Sequence, residues 1–401
     1  MTEFLIDLRK KLLSGKRNNT VALIRDALAK KIRQEAENFE LPRIHELAGE
    51  LHVSNQSIRK AYVMLGDAGL IERPEGSKLW KCVKHHSSRV FAMIIPEPFL
   101  AFIHLSNLNY QYRMMMYSGL VDRATELGYS VAPITLPSPD ADDETIKNML
   151  KNLRRNYRGI IHLGPRGITN DRPLAALLKD RSIPQITFSC KAVGVNIPAV
   201  LADLKQTAES IVHYLRSFNH HHFAVQWNYS PAECYIDENL RLTYLLFNSS
   251  SIKYYFDQVQ QDNIRLAYCP VENNEHYLEN FTAAINNVFS SQDRPTALWC
   301  SQVVSAYRAI NILRDMGLRV PEDVSVMSFG DRLDAPRSSP PLSTMRCQYY
   351  ESGRAVIDHL MLMEKHSGDT PLPDKLISTI LADRGSVMER LLCPLDIYDD
   401  I

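Results

Sequence analysis

From Val90 onward, short apolar runs alternate with amphipathic stretches of about a dozen residues, and this rhythm is the strongest constraint on the fold. VFAMIIP gives way to a helical pattern through MMMYSGLVDRATELG and then to YSVAPITL. TIKNMLKNLRRN, GIIHLG, PLAALLKDR and PQITFS continue it, followed by DLKQTAESIVHYLRSF and HFAVQW. TALWC, VSAYRAINILRDMG and VSVMSF repeat it once more. Uniformly apolar runs of this length are strands buried on both faces, and the helices between parallel strands provide the cover. The expectation is a doubly wound α/β architecture. Roughly 300 residues exceed what one core comfortably serves, so it should divide into two lobes.

The first part of the chain has a different texture. Phe4, Leu5, Leu8 and Leu12 sit at helical spacing over Thr2 to Leu13, and Ser14 to Asn19 break the pattern. A second amphipathic helix begins after Thr20, read as its N-cap, with Ile24, Leu28 and Ile32 on one face. Charge separates the two parts as well. The chain has no net charge, yet 17 of its 46 basic and 11 of its 46 acidic side chains fall in residues 1–89, a local +6 against −6 elsewhere. That asymmetry fits a phosphate-binding module joined to another domain, or ordinary variation between domains.

The stretch from Leu41 to Cys82 is the most informative. Pro42 suits the first turn of a helix whose buried face is Ile44, Leu47 and Ala48. His52-Val53 makes a tight turn, and Ser54 caps the next helix. Ile58, Ala61, Tyr62 and Leu65 point inward there, leaving Asn55, Gln56, Ser57, Arg59 and Lys60 outward. Short polar groups suit base edges, while Arg and Lys suit phosphates, as a recognition helix requires. LIERPEGSKLWKCV reads as two short strands around a turn at Gly76, with Lys78 and Lys81 in reach of neighbouring DNA backbone. A plain helical hairpin with a solvated face would leave the same physical pattern.

LPRIHELA, LHVSNQSIRKAYVML and GDAGLIERPEG resemble the winged helix-turn-helix of the GntR family in register. The resemblance implies DNA contacts from Arg43, His45, Ser54, Asn55, Gln56, Ser57, Arg59, Lys60 and Lys78. His45 and Asn55 replace arginines usual in that family, which points to a non-standard operator; Arg59 keeps its place.

A second resemblance follows. LRDMGLRVPEDVSVMSFGDRLDAPRSSPPLSTMRCQYYESGRAVIDHL is similar to the ligand-binding domain of LacI-type repressors, itself related to periplasmic binding proteins. VLADLKQTAESIVHYLRSFNHHHFAV and ISTILADRGSV extend it more weakly. A GntR-type reader on a LacI-type sensor is the architecture of arabinose-repressor-like regulators. It implies a sugar or related small molecule held between the lobes, with Arg241, Gln302 and Asp331 as contacts. Arg241 reads equally well as a surface arginine on a helix. The family's cleft Asn-Asp falls on Gln302 and Val303, and its first GFDD aspartate on Gly330. The pocket therefore takes a standard sugar, something more apolar, or no ligand. Phe102, His104, Tyr110 and Tyr112 either rim it or serve a core or dimer contact.

Other chemistries find little support. Seven scattered cysteines with no C-x-x-C pair suit reduced thiols in a cytoplasmic protein. His220, His221 and His222 are adjacent and cannot all face one ion, so no metal and no cofactor are expected. The sequence holds no G-x-S-x-G elbow, P-loop or G-x-G-x-x-G, and Cys190 and Cys300 end apolar strands, so no enzyme activity is expected. No membrane span and no secretory leader are visible. The expectation is a winged helix-turn-helix over 1–85 and an effector-binding and dimerisation domain over 86–401. Its partners would be an inverted-repeat operator, a small-molecule effector and a second copy of the chain. The other reading is a sensor or interaction protein whose reader or pocket has degenerated.

Overall fold

The computed structural model describes residues 2–14, 20–35, 41–67, 70–73, 79–82, 88–95, 111–163, 170–229, 235–237, 242–246, 250–259, 264–272, 274–365 and 372–390. Four helices open the chain: α1 (Thr2–Ser14), α2 (Thr20–Glu35), α3 (Ile44–Leu51) and α4 (Asn55–Asp67). The apolar stripes anticipated for them converge, with Leu8, Ile24, Leu28, Leu47, Ile58 and Tyr62 in one core. A short antiparallel pair follows, β1 (Ile71–Glu72) with β2 (Lys81–Cys82), Ile71 lying opposite Cys82.

Two local expectations are corrected. Thr20 is the first residue of α2 instead of standing before it. Pro42 lies outside α3, because Arg43 is the N-cap and its amide donates to the Glu46 carboxylate at 3.1 Å. The Pro42 carbonyl instead accepts the Tyr62 hydroxyl at 2.6 Å, tying α4 to the entrance of α3.

The rest of the chain forms two lobes. The first has a parallel sheet of β3 (Val90–Ile94), β4 (Ser130–Ile134), β5 (Ile160–His162), β6 (Gln185–Phe188), β8 (Ala199–Ala202) and β16 (Lys375–Ile377), in the order β16-β8-β6-β5-β3-β4. α6 (Asp143–Asn156) and α7 (Arg172–Lys179) cover one face, where Leu153, Leu174 and Leu177 meet Ile160. α5 (Gln111–Glu126) and α12 (Tyr349–Lys365) cover the other, where Met116, Leu120 and Val356 meet Ile161 and Ile186.

The second lobe contains β9 (His222–Tyr229), β12 (Arg265–Glu272), β13 (Ala297–Cys300), β14 (Ser325–Phe329), β15 (Ser343–Arg346) and β17 (Ile380–Ala382). Their order is β12-β9-β13-β14-β15-β17, parallel except for β17. α8 (Leu204–Ser217) and α9 (Ser250–Val259) cover one face, α10 (Tyr277–Phe289) and α11 (Val303–Asp315) the other. Trp299 is a central filler, 1% exposed with its ring 5.3 Å from Phe256. This is the two-lobed doubly wound architecture the apolar rhythm anticipates.

The chain passes between the lobes from β8 to α8, from β15 to α12 and from β16 to β17. Polar side chains bind these passages together. The Thr379 amide donates to Gln206 Oε1 at 2.9 Å, Thr207 and Thr379 share a hydroxyl contact at 2.9 Å, and Gln348 Nε2 donates to the Ser378 carbonyl at 2.9 Å. All three passages leave the carboxyl ends of parallel strands, so those ends face the cleft.

α5 and α12 cross closely because both carry glycine at the contact. A Cβ at Gly353 would lie 2.2 Å from the Met116 carbonyl oxygen, and one at Gly119 would lie 2.0 Å from that of Tyr350. No flexible side chain can yield there. Arg123 to Asp358 and Arg354 to Glu126, each at 2.7 Å, fasten the flanks. Gly353→Ala is therefore expected to lose about 1–3 kcal/mol through forced helix separation. Urea denaturation checks this, and an unchanged midpoint would contradict the contact.

A third, small sheet has the order β10-β11-β7, from β10 (Tyr235–Asp237), β11 (Leu242–Leu246) and β7 (Cys190–Val193). Where the helical reading of Arg241 expects a helix, the residues that follow it form a strand antiparallel to β7. LTYLL suits a pleated ribbon, and β7 offers it an unpaired edge.

Candidate functional site

The N-terminal domain presents one face free of core duties. His52 adopts φ +53°, a left-handed close to α3 that turns the chain sharply into α4. Ser54 then caps α4, its hydroxyl accepting from the Ser57 amide at 3.1 Å and meeting the Ser57 hydroxyl at 2.9 Å. These two serines are thus occupied with each other, and Ser57 is half-buried. Asn55, Gln56, Arg59 and Lys60 are exposed on the first two turns, opposite buried Ile58, Ala61, Tyr62 and Leu65. Arg43 and His45 are exposed at the start of α3. Val63 and Met64, exposed at 47% and 37%, extend the outer face of α4 with apolar surface that the sequence reading did not single out. Trp80 packs edge-on to Tyr62 at 6.4 Å, anchoring β2 against α4. Lys78 lies outside the described residues.

The carboxyl ends of the second-lobe strands form the floor of the cleft. Gln302 is exposed there as the N-cap of α11, and Val303 behind it is buried. Gly330 follows β14 with φ +80°, a left-handed conformation that an aspartate would adopt only with strain. Asp331 is present but engaged: its carboxylate lies 2.7 Å from the Arg384 guanidinium, both groups being mostly buried. Arg384 also donates to the Leu342 carbonyl at 2.9 Å and Thr344 Oγ1 at 3.1 Å. Its neighbour Arg332 is held by Asp334 at 2.8 Å, and Asp334 also accepts the Tyr307 hydroxyl at 3.0 Å. Burial and the Asp334 carboxylate push the Tyr307 phenol up to about 12.

Beside these pairs lies a set of neutral hydrogen-bonding groups. Gln226 is fully buried on β9, donating to Asn228 Oδ1 at 2.8 Å, which also accepts from the Tyr277 hydroxyl at 3.2 Å. Strand register puts Gln226, Cys300, Ser328 and Thr344 in one row across the sheet. Across the cleft, Tyr112 at the start of α5 packs its ring 5.2 Å from Tyr349 at the start of α12. Arg241, Phe102, His104 and Tyr110 lie outside the described residues.

Arg384 and the Gln206–Thr379 contacts were missed in the sequence. ADRGSV signals only a strand end, and its partners lie about 40 or more positions away in the chain, as with Asp331 at a separation of 53. Of the adjacent histidines, His220 is built into the core and His222 Nδ1 lies 2.8 Å from the Arg265 guanidinium. His220 is 3% exposed, with Nδ1 2.8 Å from Thr296 Oγ1 and Nε2 3.0 Å from the Met388 carbonyl. That carbonyl only accepts, so Nε2 carries the hydrogen, and burial drives the ring down to about 4. Cys190, Cys269, Cys300 and Cys347 are buried and free, their thiols pushed up by desolvation. Among the described residues no cluster of three metal-ligating side chains occurs, and no helix is long and apolar enough to cross a membrane.

Comparison with known proteins places this geometry. Residues 212–387 match the model of the periplasmic binding protein-like domain family. A stretch of this chain is 37% identical over 84 residues to the HTH-type transcriptional repressor PurR of Photobacterium profundum, 21% of this chain and 25% of that protein. The chain is also 31% identical over 91 residues to the ribose operon repressor of Haemophilus influenzae, 23% of this chain and 27% of that protein. The chain thus spans about a quarter of the length of these curated relatives. Among solved structures, it is similar to a LacI family transcriptional regulator from Bifidobacterium animalis, with TM-score 0.53 and 18% identity over 76% of this chain and 99% of that one. It is also similar to the lac repressor dimer bound to operator and the anti-inducer ONPF, with TM-score 0.52 and 17% identity over 75% and 94%. The large domain therefore has the two-lobed periplasmic-binding-protein-like fold found in LacI-family regulators.

Proposed function

We propose that this chain is a transcription repressor whose DNA grip responds to a small molecule held between its two lobes. The observation that carries the proposal is the pairing of two unlike surfaces. A sealed helical core turns Asn55, Gln56, Arg59 and Lys60 outward, and a two-lobed domain follows with its strand ends facing a hinged cleft. Relatives named as repressors and a related dimer bound to operator support this reading.

In finer terms, residues 1–85 are a GntR-type winged helix-turn-helix, and residues 86–401 bind effector and dimerise in the cytoplasm. The large-domain comparisons support a LacI-type regulator; the GntR-type assignment rests on LPRIHELA and LHVSNQSIRKAYVML and on the β1–β2 pair that follows α4. A two-fold dimer offers two recognition helices to an inverted repeat. A protein bound there obstructs polymerase, which makes repression the simplest output.

The effector is a neutral, hydroxyl-rich molecule such as a sugar. Asp331 and Arg332 at the cleft floor already have their opposite charges in Arg384 and Asp334. A charged ligand would have to displace one of them, whereas Gln302, Asn228 and Tyr277 offer neutral hydrogen bonds. The test measures thermal shift and retention on the protein's own upstream DNA with neutral sugars, sugar acids and aromatic metabolites. A neutral sugar-like compound should raise the melting temperature and change DNA affinity, since the two binding energies are reciprocal. Stabilisation by a sugar acid alone would contradict the neutral-effector reading.

A further inference from the structure

Three covalent passages join the lobes, and the small sheet adds a fourth connection that is not covalent. β7 belongs to the first lobe: Cys190 and Ala192 are buried in its core with Ile160, Leu174 and Ile197. β10 and β11 lie between β9 and α9, which belong to the second lobe, where Phe256 of α9 packs 6.3 Å from Phe223 of β9. β10 and β11 thus pair against the first lobe, while β9 ending at Tyr229 before them and α9 beginning at Ser250 after them belong to the second. Four consecutive residues pair with β7: Thr243 opposite Val193, Tyr244 opposite Ala192, Leu245 opposite Lys191 and Leu246 opposite Cys190. β10 also lies against α7 of the first lobe.

We propose that the β10–β11 hairpin is an interlobe strap that limits how far the cleft opens, so that the lobes move widely apart only when β11 is peeled from β7. Chain length gives the strap its restraint. Leu246 and Ser250 are separated by four peptide links, which reach at most about 14 Å when extended. A docked β11 therefore cannot follow a widely opened second lobe. β7 is a natural place for peeling, because its pairing with β11 forms a sheet apart from the six-stranded one and is only four residues long. The strap spans the lobes beside the hinge contacts of Gln206, Thr379 and Gln348 and restrains the same motion from a different position. This inference concerns the lobes alone and is independent of DNA or effector binding.

Two variants of the full-length protein test it. In Val193→Cys/Thr243→Cys, the new cysteines occupy directly opposed positions, whose Cα separation in an antiparallel pair of about 4.5–5.5 Å suits a disulfide. Mild oxidation should link them nearly completely, as read by mass spectrometry of the non-reduced digest, with no change in the X-ray scattering profile. Failure to link in a protein whose near-UV circular dichroism is native would overturn the strap. In Tyr244→Pro/Leu245→Pro, two consecutive amides are lost, and alternation along the strand means that one of them faces β7. Scattering should then report an increased radius of gyration and a broadened distance distribution. An unchanged profile would mean that the hairpin docks without restraining the lobes, which also overturns the proposal.

Discussion

Arg59→Ala is expected to weaken binding to the preferred duplex by about 10- to 100-fold, the roughly 1–3 kcal/mol of a bidentate arginine contact to a base edge, a role beyond the phosphate contact that its residue type alone suggests. Arg59 is exposed on the second turn of α4, one residue beyond buried Ile58, and its place on the helix is fixed from below by Tyr62 and Leu65. Removing the guanidinium therefore leaves the fold intact and removes only the contact. Lys60→Ala should behave differently. A phosphate contact weakens binding across all sequences alike and reduces the salt slope by about 1 per site. Fluorescence anisotropy on specific and scrambled duplexes over a salt series separates the two effects. Unchanged affinity and slope in both variants would remove α4 from the interface.

The second large effect is a loss of stability in weak acid. His162 is fully buried, with Nε2 2.7 Å from Gln185 Oε1, and desolvation holds its ring at about 4. His220 is held at about 4 for the same reason. Both folded values lie below the unfolded value of 6.5, so the unfolded chain takes up these protons first. The two histidines cost nothing above about pH 6.5, their penalty grows as pH falls from there to about 4, and it then levels off. At roughly 1.4 kcal/mol per unit, each contributes on the order of 3 kcal/mol across that window. The carboxylates act lower down: arginine contacts hold Glu126 and Asp323 at about 2, and their contribution disappears only below about pH 4.5. Urea midpoints measured from pH 7.5 to 4 should fall steadily, and His220→Gln should flatten the slope. A flat profile in the parent protein would contradict the buried neutral rings.

Much of this architecture was legible because it rests on local pattern. Apolar runs of uniform character placed β3, β5, β6, β9, β13 and β14, and helical stripes placed α1, α2 and α4. The third sheet was not legible, since β7 and β11 are separated by some fifty residues and neither alternates clearly. Pro42 was read into the first turn although it lies two residues before it, because the capping contact that makes Arg43 the N-cap comes from Glu46. At the cleft, the sequence showed that carboxylates were missing at Val303 and Gly330 but not that Asp331 was engaged. That engagement depends on Arg384, brought alongside by β17 turning back onto β15. Local rules show which side chains turn outward on a helix. Whether a charge at a strand end is free depends on long-range pairing.

The most direct test of the central claim is a protection footprint of the purified protein on the DNA upstream of its own gene. Two protected patches of inverted sequence are expected, centred one helical turn or a small multiple apart and lost with Arg59→Ala. Uniform, sequence-independent coverage at every protein concentration, or no protection at all, would contradict that claim.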